Sequence, residues 1–270
     1  MKHIQFDLSN KYSLITGSSG LLGFEHASAL LEINSNIILT DINLLKLRVV
    51  KKRLNKLYPK SDIKIYKMDV TKEKSILKVI KNLKKKKIPL HVLINNAAID
   101  SKIKKNQVMT NTEKFENISL NSWNKHFEVG LTGAMLCSKN FGKMIISNKN
   151  GGVILNIASD LSIIAPNHQI YKKGIFKPVM YSVIKHGIIG LTKYISTYWN
   201  VKKLRCNAIS PGSVENGQPK NFINKLKKHI PLNRLASKNE YRGAIQFLCS
   251  DASKYMTGQN VIIDGGRSVW

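Results

Sequence analysis

Short apolar runs alternate along this chain with longer stretches that mix apolar and charged residues. The runs are five to seven residues long and rich in valine, isoleucine and leucine, a pattern that is typical of strands buried on both faces. Seven segments have this pattern: "YSLIT" (12–16), "NIILT" (36–40), "IKIYKM" (63–68), "LHVLIN" (90–95), "GVILNIA" (152–158), "LRCNAIS" (204–210) and "NVIIDGG" (260–266).

The segments between the first of these strands have apolar residues at helical spacing. One extends over residues 21–33, a second ends near Tyr58 and Pro59, and a lysine-rich third ends near Lys87. Strands separated by helices imply parallel βαβ units. Because no linker, repeat or low-complexity segment divides the chain, we predict a single α/β domain over residues 1–270, with a seven-stranded parallel sheet and helices on both faces.

A glycine-rich turn, "TGSSGLLG" (16–23), follows the first predicted strand. Ligands of parallel α/β sheets bind at the carboxyl ends of the strands, where glycines allow a tight turn and close approach of the backbone to a pyrophosphate. The N-terminus of the next helix favours the same anion; a plain strand-to-helix turn is the alternative interpretation. The residues expected to contact a dinucleotide here are Gly17, Ser19, Gly20, Leu21 and Leu22.

An acidic residue ends the second predicted strand, roughly 20 residues after the glycine turn. A carboxylate at the position of Asp41 can accept hydrogen bonds from an adenosine ribose and repels a 2′-phosphate. Ile42 follows, and no arginine adjoins Asp41 to receive such a phosphate. The sequence therefore favours NAD over NADP, with a helix N-cap as the alternative role for Asp41.

The charge of the chain is strongly positive, with 44 Lys and Arg against 16 Asp and Glu and a net charge of +28. One interpretation is a polyanionic partner such as nucleic acid, an acidic carrier protein or a phosphorylated substrate. The other is coding bias, because the lysines are spread over segments predicted to be exposed and no aromatic residues interleave to stack bases. The second interpretation is favoured, and no nucleic-acid partner is expected.

Two other classes of protein are disfavoured by the sequence. No apolar run reaches the roughly 18 residues that span a bilayer, and the N-terminal segment lacks the pattern of a signal peptide. Cys137, Cys206 and Cys249 are far apart, so neither a CxxC motif nor metal-ligand spacing is present. We therefore expect a cytoplasmic protein with buried free thiols, no membrane partner and no metal.

Seven motifs along the chain resemble those of the short-chain dehydrogenase/reductase family, in the family order and over nearly the whole length. The resemblance implies a Rossmann fold that binds NAD(P) and forms a tetramer. The motifs are "TGSSGLLG", "MDV" (68–70), "NNAA" (95–98), "LNIAS" (155–159), "YSVIK" (181–185), "CNAISPG" (206–212) and "FLCSDASKYMTGQNVIIDGG" (247–266).

The same resemblance assigns roles to individual residues. Tyr181 would be the general acid and base, Lys185 one helical turn away would favour its phenolate, and Ser159 would hold the substrate oxygen. Hydride would move between the substrate carbon and the nicotinamide. The further residues expected to bind the cofactor are Asp69, Val70, Asn96, Ala97, Pro211, Gly212 and Val214, together with Tyr181 and Lys185.

Three features depart from the family pattern. The first is the spacing of the glycines at 17, 20 and 23, a variant that need not abolish cofactor binding. Gly130 stands where members have an asparagine that assists a proton path behind the lysine, and the interpretation we favour predicts that Gly130→Asn preserves or raises turnover. The segment between Ser159 and Tyr181 is long, so that residues 160–178 form a substrate loop beside a lid at 213–235. This loop carries candidate binding groups for an acidic or phosphorylated substrate, with an ordinary solvated loop as the alternative: His168, Tyr171, Lys172 and Lys173.

These features predict an NAD(H)-dependent oxidoreductase that acts on a hydroxyl or keto group. The variant motifs "GLLG" and "ENGQP" (215–219), with Gly130 and the long loop, resemble a branch that modifies bacterial surface sugars and flagellin, so a sugar-like or nucleotide-activated sugar substrate is favoured. A 3-oxoacyl-[acyl-carrier-protein] reductase is the enzymatic alternative. A dinucleotide-binding protein without turnover is the third possibility.

Overall fold

The seven apolar runs form one parallel sheet in a computed structural model of the chain, which describes residues 5–99 and 114–270. The sheet has the strand order β3-β2-β1-β4-β5-β6-β7, and every neighbouring pair is parallel. The strands are β1 (Tyr12–Thr16), β2 (Asn36–Asp41), β3 (Ile63–Lys67), β4 (Val92–Asn95), β5 (Gly152–Ile157), β6 (Leu204–Pro211) and β7 (Asn260–Ile263).

Helices cover both faces of this sheet. The helices α1, α2 and α8 pack on one face and α3, α5 and α6 on the other, while α4 and α7 lie at the edge that the carboxyl ends of the strands form. Their bounds are α1 (Leu21–Leu31), α2 (Leu44–Leu57), α3 (Glu73–Lys85), α4 (Leu120–Phe127), α5 (Gly133–Ile145), α6 (Val179–Tyr198), α7 (Lys220–Lys227) and α8 (Arg242–Cys249).

The continuous apolar character of the strands follows from burial on both faces. Successive side chains of a strand point to opposite sides. In β1, Leu14 packs with α3 and α5, whereas Ile15 packs with α1, α2 and α8. In β4, Leu93 packs on the same face as Leu14, and Ile94 packs on the same face as Ile15. Both faces need apolar residues, so strict alternation of apolar and polar positions is absent.

The order of the strands reverses between β1 and β4. Chain connections leave these two neighbours in opposite directions, and this opens a crevice at their carboxyl ends where ligands of such sheets bind. A five-residue π-helical turn, Glu128–Thr132, joins α4 to α5 close to this crevice. Such turns are frequent at functional sites.

The sequence expectations about thiols and membrane spans can be compared with this fold. Cys137, Cys206 and Cys249 are all buried and form no disulfide. Burial raises the pKa of the Cys137 and Cys249 thiols to about 12, so they stay protonated and unreactive. In the part of the chain that the structure describes, no helix is both long and apolar enough to cross a bilayer.

Candidate active site

A cleft of about 800 Å³ opens at the carboxyl ends of the strands, next to the reversal between β1 and β4. This volume is in the usual range for sites that bind cofactors and small molecules. Every residue that the sequence analysis proposed for catalysis or cofactor binding lines it: Gly17, Ser19, Gly20, Leu21, Leu22, Asp41, Asp69, Val70, Asn96, Ala97, Ser159, Tyr181, Lys185, Pro211, Gly212 and Val214.

The glycine-rich turn has a geometry that only glycine permits at two positions. Gly17 has a φ of +60°, and a Cβ placed there would lie 2.7 Å from the Cα of Ala97. A Cβ on Gly23 would lie 2.6 Å from the Cα of Ser18. The N-terminus of α1 at Gly20 has no side-chain cap and lines the cleft. This cradle of free N–H groups fits the pyrophosphate of a dinucleotide.

Asp41 lies at the edge of the same cradle with its carboxylate held in place. Its Oδ2 accepts hydrogen bonds from the backbone N (3.1 Å) and Oγ (2.7 Å) of Ser19, and its Oδ1 accepts one from Asn43 N at 2.9 Å. The N-cap of α2 is Asn43, whose side chain accepts from Lys46 N, so the alternative of Asp41 as the N-cap is wrong. The half-buried carboxylate remains available to a ribose.

The loop after β4 holds the glycine turn from the other side. The backbone N of Asn96 and of Ala97 each donate to Thr16 Oγ1 at 3.0 Å. The side-chain amide of Asn96 donates to the carbonyl oxygens of Thr16 and Gly17, also at 3.0 Å. Asn95 is buried and bonds to Ser138 and Asn156. The motif "NNAA" therefore both lines the cleft and fixes the shape of the cradle.

Asp69 and Val70 close the cleft on the side of β3. Asp69 Oδ1 accepts hydrogen bonds from the backbone N (3.0 Å) and Oγ1 (2.7 Å) of Thr71, and its own N donates to Ser75 Oγ. These bonds orient the carboxylate within the turn that leads to α3. Val70 packs against Gly133, where a Cβ would lie 2.8 Å from Val70 Cγ2.

Tyr181 and Lys185 lie one turn apart near the N-terminus of α6, and both side chains face the cleft. Lys185 is buried, and its Nζ donates to the carbonyl oxygen of Ile157 at 2.7 Å. The same Nζ lies 5.6 Å from the centroid of the Tyr181 ring. The end of β5 thus holds the ammonium group beside the phenol.

Ser159 follows β5 and is connected to a buried ion pair that the sequence analysis missed. Its Oγ donates to Asp160 Oδ1 at 2.8 Å and accepts from Leu161 N at 3.3 Å. Asp160 Oδ2 in turn accepts from Arg267 Nη1 at 2.6 Å, and the side chains of Asp160 and Arg267 are only 4% and 8% exposed. The C-terminal segment thereby fixes the orientation of the serine.

The long segment before α6 reaches the cleft with different residues from those expected. Lys172 and Lys173 are exposed and do not line it, and His168 lies outside the lining against the Phe176 ring, with centroids 5.4 Å apart. Tyr171 lines the cleft as expected, and so does Lys177, which was not singled out. The sequence feature that could have identified Lys177 is its position directly before Pro178, the N-cap residue of α6.

The segment after β6 packs against this loop. Phe222 and Leu226 of α7 contact Ile170 and Tyr171, with the Tyr171 and Phe222 rings 5.3 Å apart. Both pairs line the cleft. The two segments that the sequence analysis named as substrate loop and lid therefore share one small apolar cluster above the substrate end.

Gly130 is buried in the π-helical turn against α6. A Cβ at this position would lie 2.8 Å from Cγ2 of Ile184, the residue before Lys185. Ile184 is buried and branched at Cβ, so it has little freedom to move away. The structure contradicts the expectation that Gly130→Asn is tolerated, because the new side chain would displace the helix that carries Tyr181 and Lys185.

Comparisons with known proteins agree with this geometry. A family model described as enoyl-(acyl carrier protein) reductase matches residues 17–268. The NAD-dependent glycerol dehydrogenase of Listeria innocua is 28% identical over 269 residues, which cover 98% of this chain and 96% of that protein. A 3-oxoacyl-[acyl-carrier-protein] reductase of Aquifex aeolicus is 28% identical, over 97% of this chain and 99% of its own length.

The fold comparison extends over the whole chain. The solved structure of a short chain dehydrogenase from Leptospira borgpetersenii with bound NAD⁺ has a TM-score of 0.82 and 28% identity, and covers 100% of this chain and 97% of that one. The family match spans nearly every described element, and the cleft lies at the carboxyl ends of the strands, with Ser159 after β5 and Tyr181 and Lys185 on α6. The chain belongs to the short-chain dehydrogenase/reductase family of oxidoreductases, in which relatives of this chain are named as dehydrogenases and reductases of hydroxyl and keto compounds.

Proposed function

We propose that this enzyme is an NAD-linked dehydrogenase or reductase of a sugar-like, polyhydroxylated substrate, with Ser159, Tyr181 and Lys185 as its catalytic residues. The observation that supports it most strongly is their shared cleft, in which Lys185 Nζ lies 5.6 Å from the Tyr181 ring, next to a cradle that fits a pyrophosphate. A bound nicotinamide supplies the hydride-transfer chemistry. The residues of the chain orient the substrate and move its proton.

The three residues have separate tasks in this proposal. Tyr181 takes the proton of a substrate hydroxyl in oxidation and returns it to the oxygen in reduction. A free phenol has a pKa near ~10, and the ammonium group of Lys185 favours the charged form of the neighbouring tyrosine. Ser159 donates to Asp160 and keeps lone pairs for a substrate hydroxyl, and rotation about Cβ–Oγ lets it donate to a keto oxygen.

NAD is the proposed cofactor because of Asp41. A 2′-phosphate on the adenosine ribose would meet a carboxylate that Ser19 and Asn43 hold in place. Among the described residues that line the cleft, Lys46 is the one near Asp41 that could partly neutralise such a 2′-phosphate. The glycerol dehydrogenase and the NAD⁺ complex among the relatives support the same choice.

The sugar-like substrate is proposed from the polar and cationic lining of the substrate end. Lys125, Lys177 and Gln218 line it together with Tyr171, and the glycerol dehydrogenase among the relatives acts on a polyol. The motif variants "GLLG" and "ENGQP" favour the branch that modifies bacterial surface sugars. The relative that reduces 3-oxoacyl chains makes such thioesters the main competing substrates.

The surroundings of the site are also part of this proposal. Residues 160–178 and 213–235 form the substrate loop and the lid, since their shared apolar cluster covers the substrate end.

A cytoplasmic homotetramer is proposed through the outer faces of α5 and α6. These faces expose Met135, Val183 and a stacked pair of tyrosines, Tyr194 and Tyr198, with ring centroids 5.7 Å apart.

The test is a screen of NADH oxidation and NAD reduction against polyols, keto-sugars, sugar nucleotides and 3-oxoacyl thioesters. For the substrate that it identifies, Tyr181→Phe should lower turnover by about 10²–10⁴-fold, the usual contribution of a general acid or base, while NADH binding is retained. Tyr255→Phe, which changes a fully exposed tyrosine outside the cleft, is the matched control. Unchanged turnover in Tyr181→Phe would reject the assigned role.

A further inference from the structure

The backbone of Lys177 is held in one conformation close to Tyr181, the proposed catalytic tyrosine. It directly precedes Pro178, and the ring of a proline confines the residue before it to extended backbone. Pro178 is buried at the N-terminus of α6, and its carbonyl oxygen accepts from the backbone N of Tyr181 at 3.1 Å. The chain thus enters the helix along one path, with the Lys177 side chain starting next to Tyr181.

The ammonium group of Lys177 lies over the face of the Tyr181 ring. Its Nζ is 3.6 Å from the ring centroid, closer than the 5.6 Å of Lys185 Nζ. A cation over an aromatic face is attracted by the ring quadrupole, and loss of the phenolic proton spreads further negative charge over the ring. The attraction is therefore stronger for the phenolate than for the phenol.

Among the residues that the structure describes, the other charged groups that line the cleft near Tyr181 are mostly cationic. Lys185 comes from the same helix and Lys125 from α4, and both are cationic. The carboxylate that lines the substrate end within the described chain, Asp160, is paired with Arg267. Among the described residues, Tyr171 of the substrate loop also lines this end and is titratable.

We propose that Lys177 is a positioning residue of this active site, which acts through Tyr181 by stabilising its phenolate form as a second cation beside Lys185. The inference rests on the proposed role of Tyr181. It assigns to the substrate loop a task in proton transfer besides covering the substrate.

The first experiment follows Tyr181 itself and needs no substrate. Protein labelled with ¹³Cζ-tyrosine is titrated by NMR from neutral to alkaline pH, and the Tyr181 resonance is identified by its absence in Tyr181→Phe. Three variants are compared with the wild type: Lys177→Gln, which removes the charge, Lys177→Arg, which retains it, and Lys173→Gln, an exposed lysine of the same loop outside the cleft.

The expected result is a rise of about one unit in the titration midpoint of Tyr181 in Lys177→Gln, the lower end of the range for a nearby opposite charge because both side chains are partly exposed. Lys177→Arg and Lys173→Gln should stay close to the wild type. A midpoint in Lys177→Gln equal to that of the wild type, or no titration in either protein before alkaline unfolding, overturns the inference.

The second experiment measures the pH profile of turnover with the substrate found by the screen. In Lys177→Gln the limb that reports the deprotonated tyrosine should move to higher pH by the same amount, and Lys177→Arg should restore it. A higher KM for anionic substrates with an unmoved profile would instead make Lys177 a substrate anchor and overturn the inference. If no substrate is turned over, the proposed function fails, while the NMR titration still decides the role of Lys177.

Discussion

The two ends of the cleft are built by different means. The end that fits a dinucleotide is shaped by backbone: the glycine turn, the uncapped start of α1 and the bonds of Asn96 and Ala97 to Thr16. The substrate end is shaped by charged side chains. Within the described chain, four cations line it and one carboxylate opposes them: Lys125, Lys177, Lys185, Arg267 and Asp160.

Because of this difference, the two ends of the cleft should respond differently to amino-acid substitutions. A backbone cradle depends on a few conformations and close contacts, and its side chains are largely replaceable. A cluster of cations around one paired carboxylate depends on the balance of charge, since an unpaired buried ion is costly. Substitutions at the substrate end should therefore affect stability and proton transfer together, whereas substitutions at the dinucleotide end should affect which cofactor binds.

The largest effect is expected from breaking the ion pair that orients Ser159. Arg267→Met leaves Asp160 buried without its partner, and the free energy of unfolding should fall by about 3–5 kcal/mol in urea denaturation. Arg234→Met is the control, because Arg234 and Glu240 form an exposed pair whose loss should cost less than about 1 kcal/mol. The double variant Asp160→Asn/Arg267→Met should recover much of the loss. Equal losses in Arg267→Met and Arg234→Met would mean that the pair adds no specific stability.

The ion pair also shows why part of the site was not predictable. Arg267 and Asp160 are 107 residues apart in sequence, and neither belongs to a local pattern that predicts a contact. The glycine turn and Asp41 follow consecutive strands, so their spacing was sufficient to place them at one sheet edge. The inner strands were predicted nearly to their ends, because burial on both faces leaves continuous apolar runs. The edge strand β7 is only partly buried, and its predicted segment runs three residues beyond Ile263.

Lys177 and Gly130 illustrate the limits of reasoning from motifs. The sequence analysis named Lys172 and Lys173 as candidate binding groups of the substrate loop. The lysine that reaches the tyrosine is instead Lys177, which directly precedes Pro178. At Gly130 the motif suggested a missing side chain. The packing of Ile184 shows instead a site without room for one, and only three-dimensional contact distances could reveal this.

A smaller effect is expected from crowding α6 at Gly130. Gly130→Asn should lower turnover by about 10²-fold, the scale of a displacement of about 1 Å of catalytic groups, with the protein still folded by circular dichroism. Gly243→Asn in α8 is the control, because Gly243 is exposed and a Cβ there meets no atom within 4 Å. Ile184→Ala added to Gly130→Asn should restore part of the turnover. Full activity of Gly130→Asn would show that α6 accommodates the side chain without moving Tyr181 and Lys185, the proposed catalytic residues.

At the dinucleotide end, Asp41→Ser should change the preference between cofactors rather than stability. Loss of the carboxylate removes the repulsion of a 2′-phosphate, so the ratio of kcat/KM for NADP to that for NAD should rise by about 10- to 100-fold, equivalent to about 1–3 kcal/mol for a solvent-accessible charge pair. The matched substitution Asp69→Ser removes the other carboxylate of this end. A ratio that moves equally in both variants would mean that Asp41 does not face the ribose.

The smallest effect concerns a buried histidine in α1, the helix that follows the glycine turn. His26 of α1 is 1% exposed, and neither ring nitrogen has a hydrogen-bond partner among the described residues. Burial lowers the pKa of His26 to about 3. The unfolded chain binds a proton on this histidine below a pH of about 6.5, whereas the folded chain stays neutral until near its own pKa. The free energy of unfolding is therefore not reduced by His26 above about pH 6.5, and it decreases as the pH falls below that value.

The expected size of this loss is about 1.4 kcal/mol per pH unit below about 6.5. His26→Leu should lose this slope, so the difference in unfolding free energy between variant and wild type should change by about 1.4 kcal/mol per pH unit below about 6.5, measured by urea denaturation at several acidic pH values. His186→Leu, at an exposed histidine of α6, is the control and should change the slope far less. Identical slopes for wild type and His26→Leu would mean that the ring is protonated inside the fold.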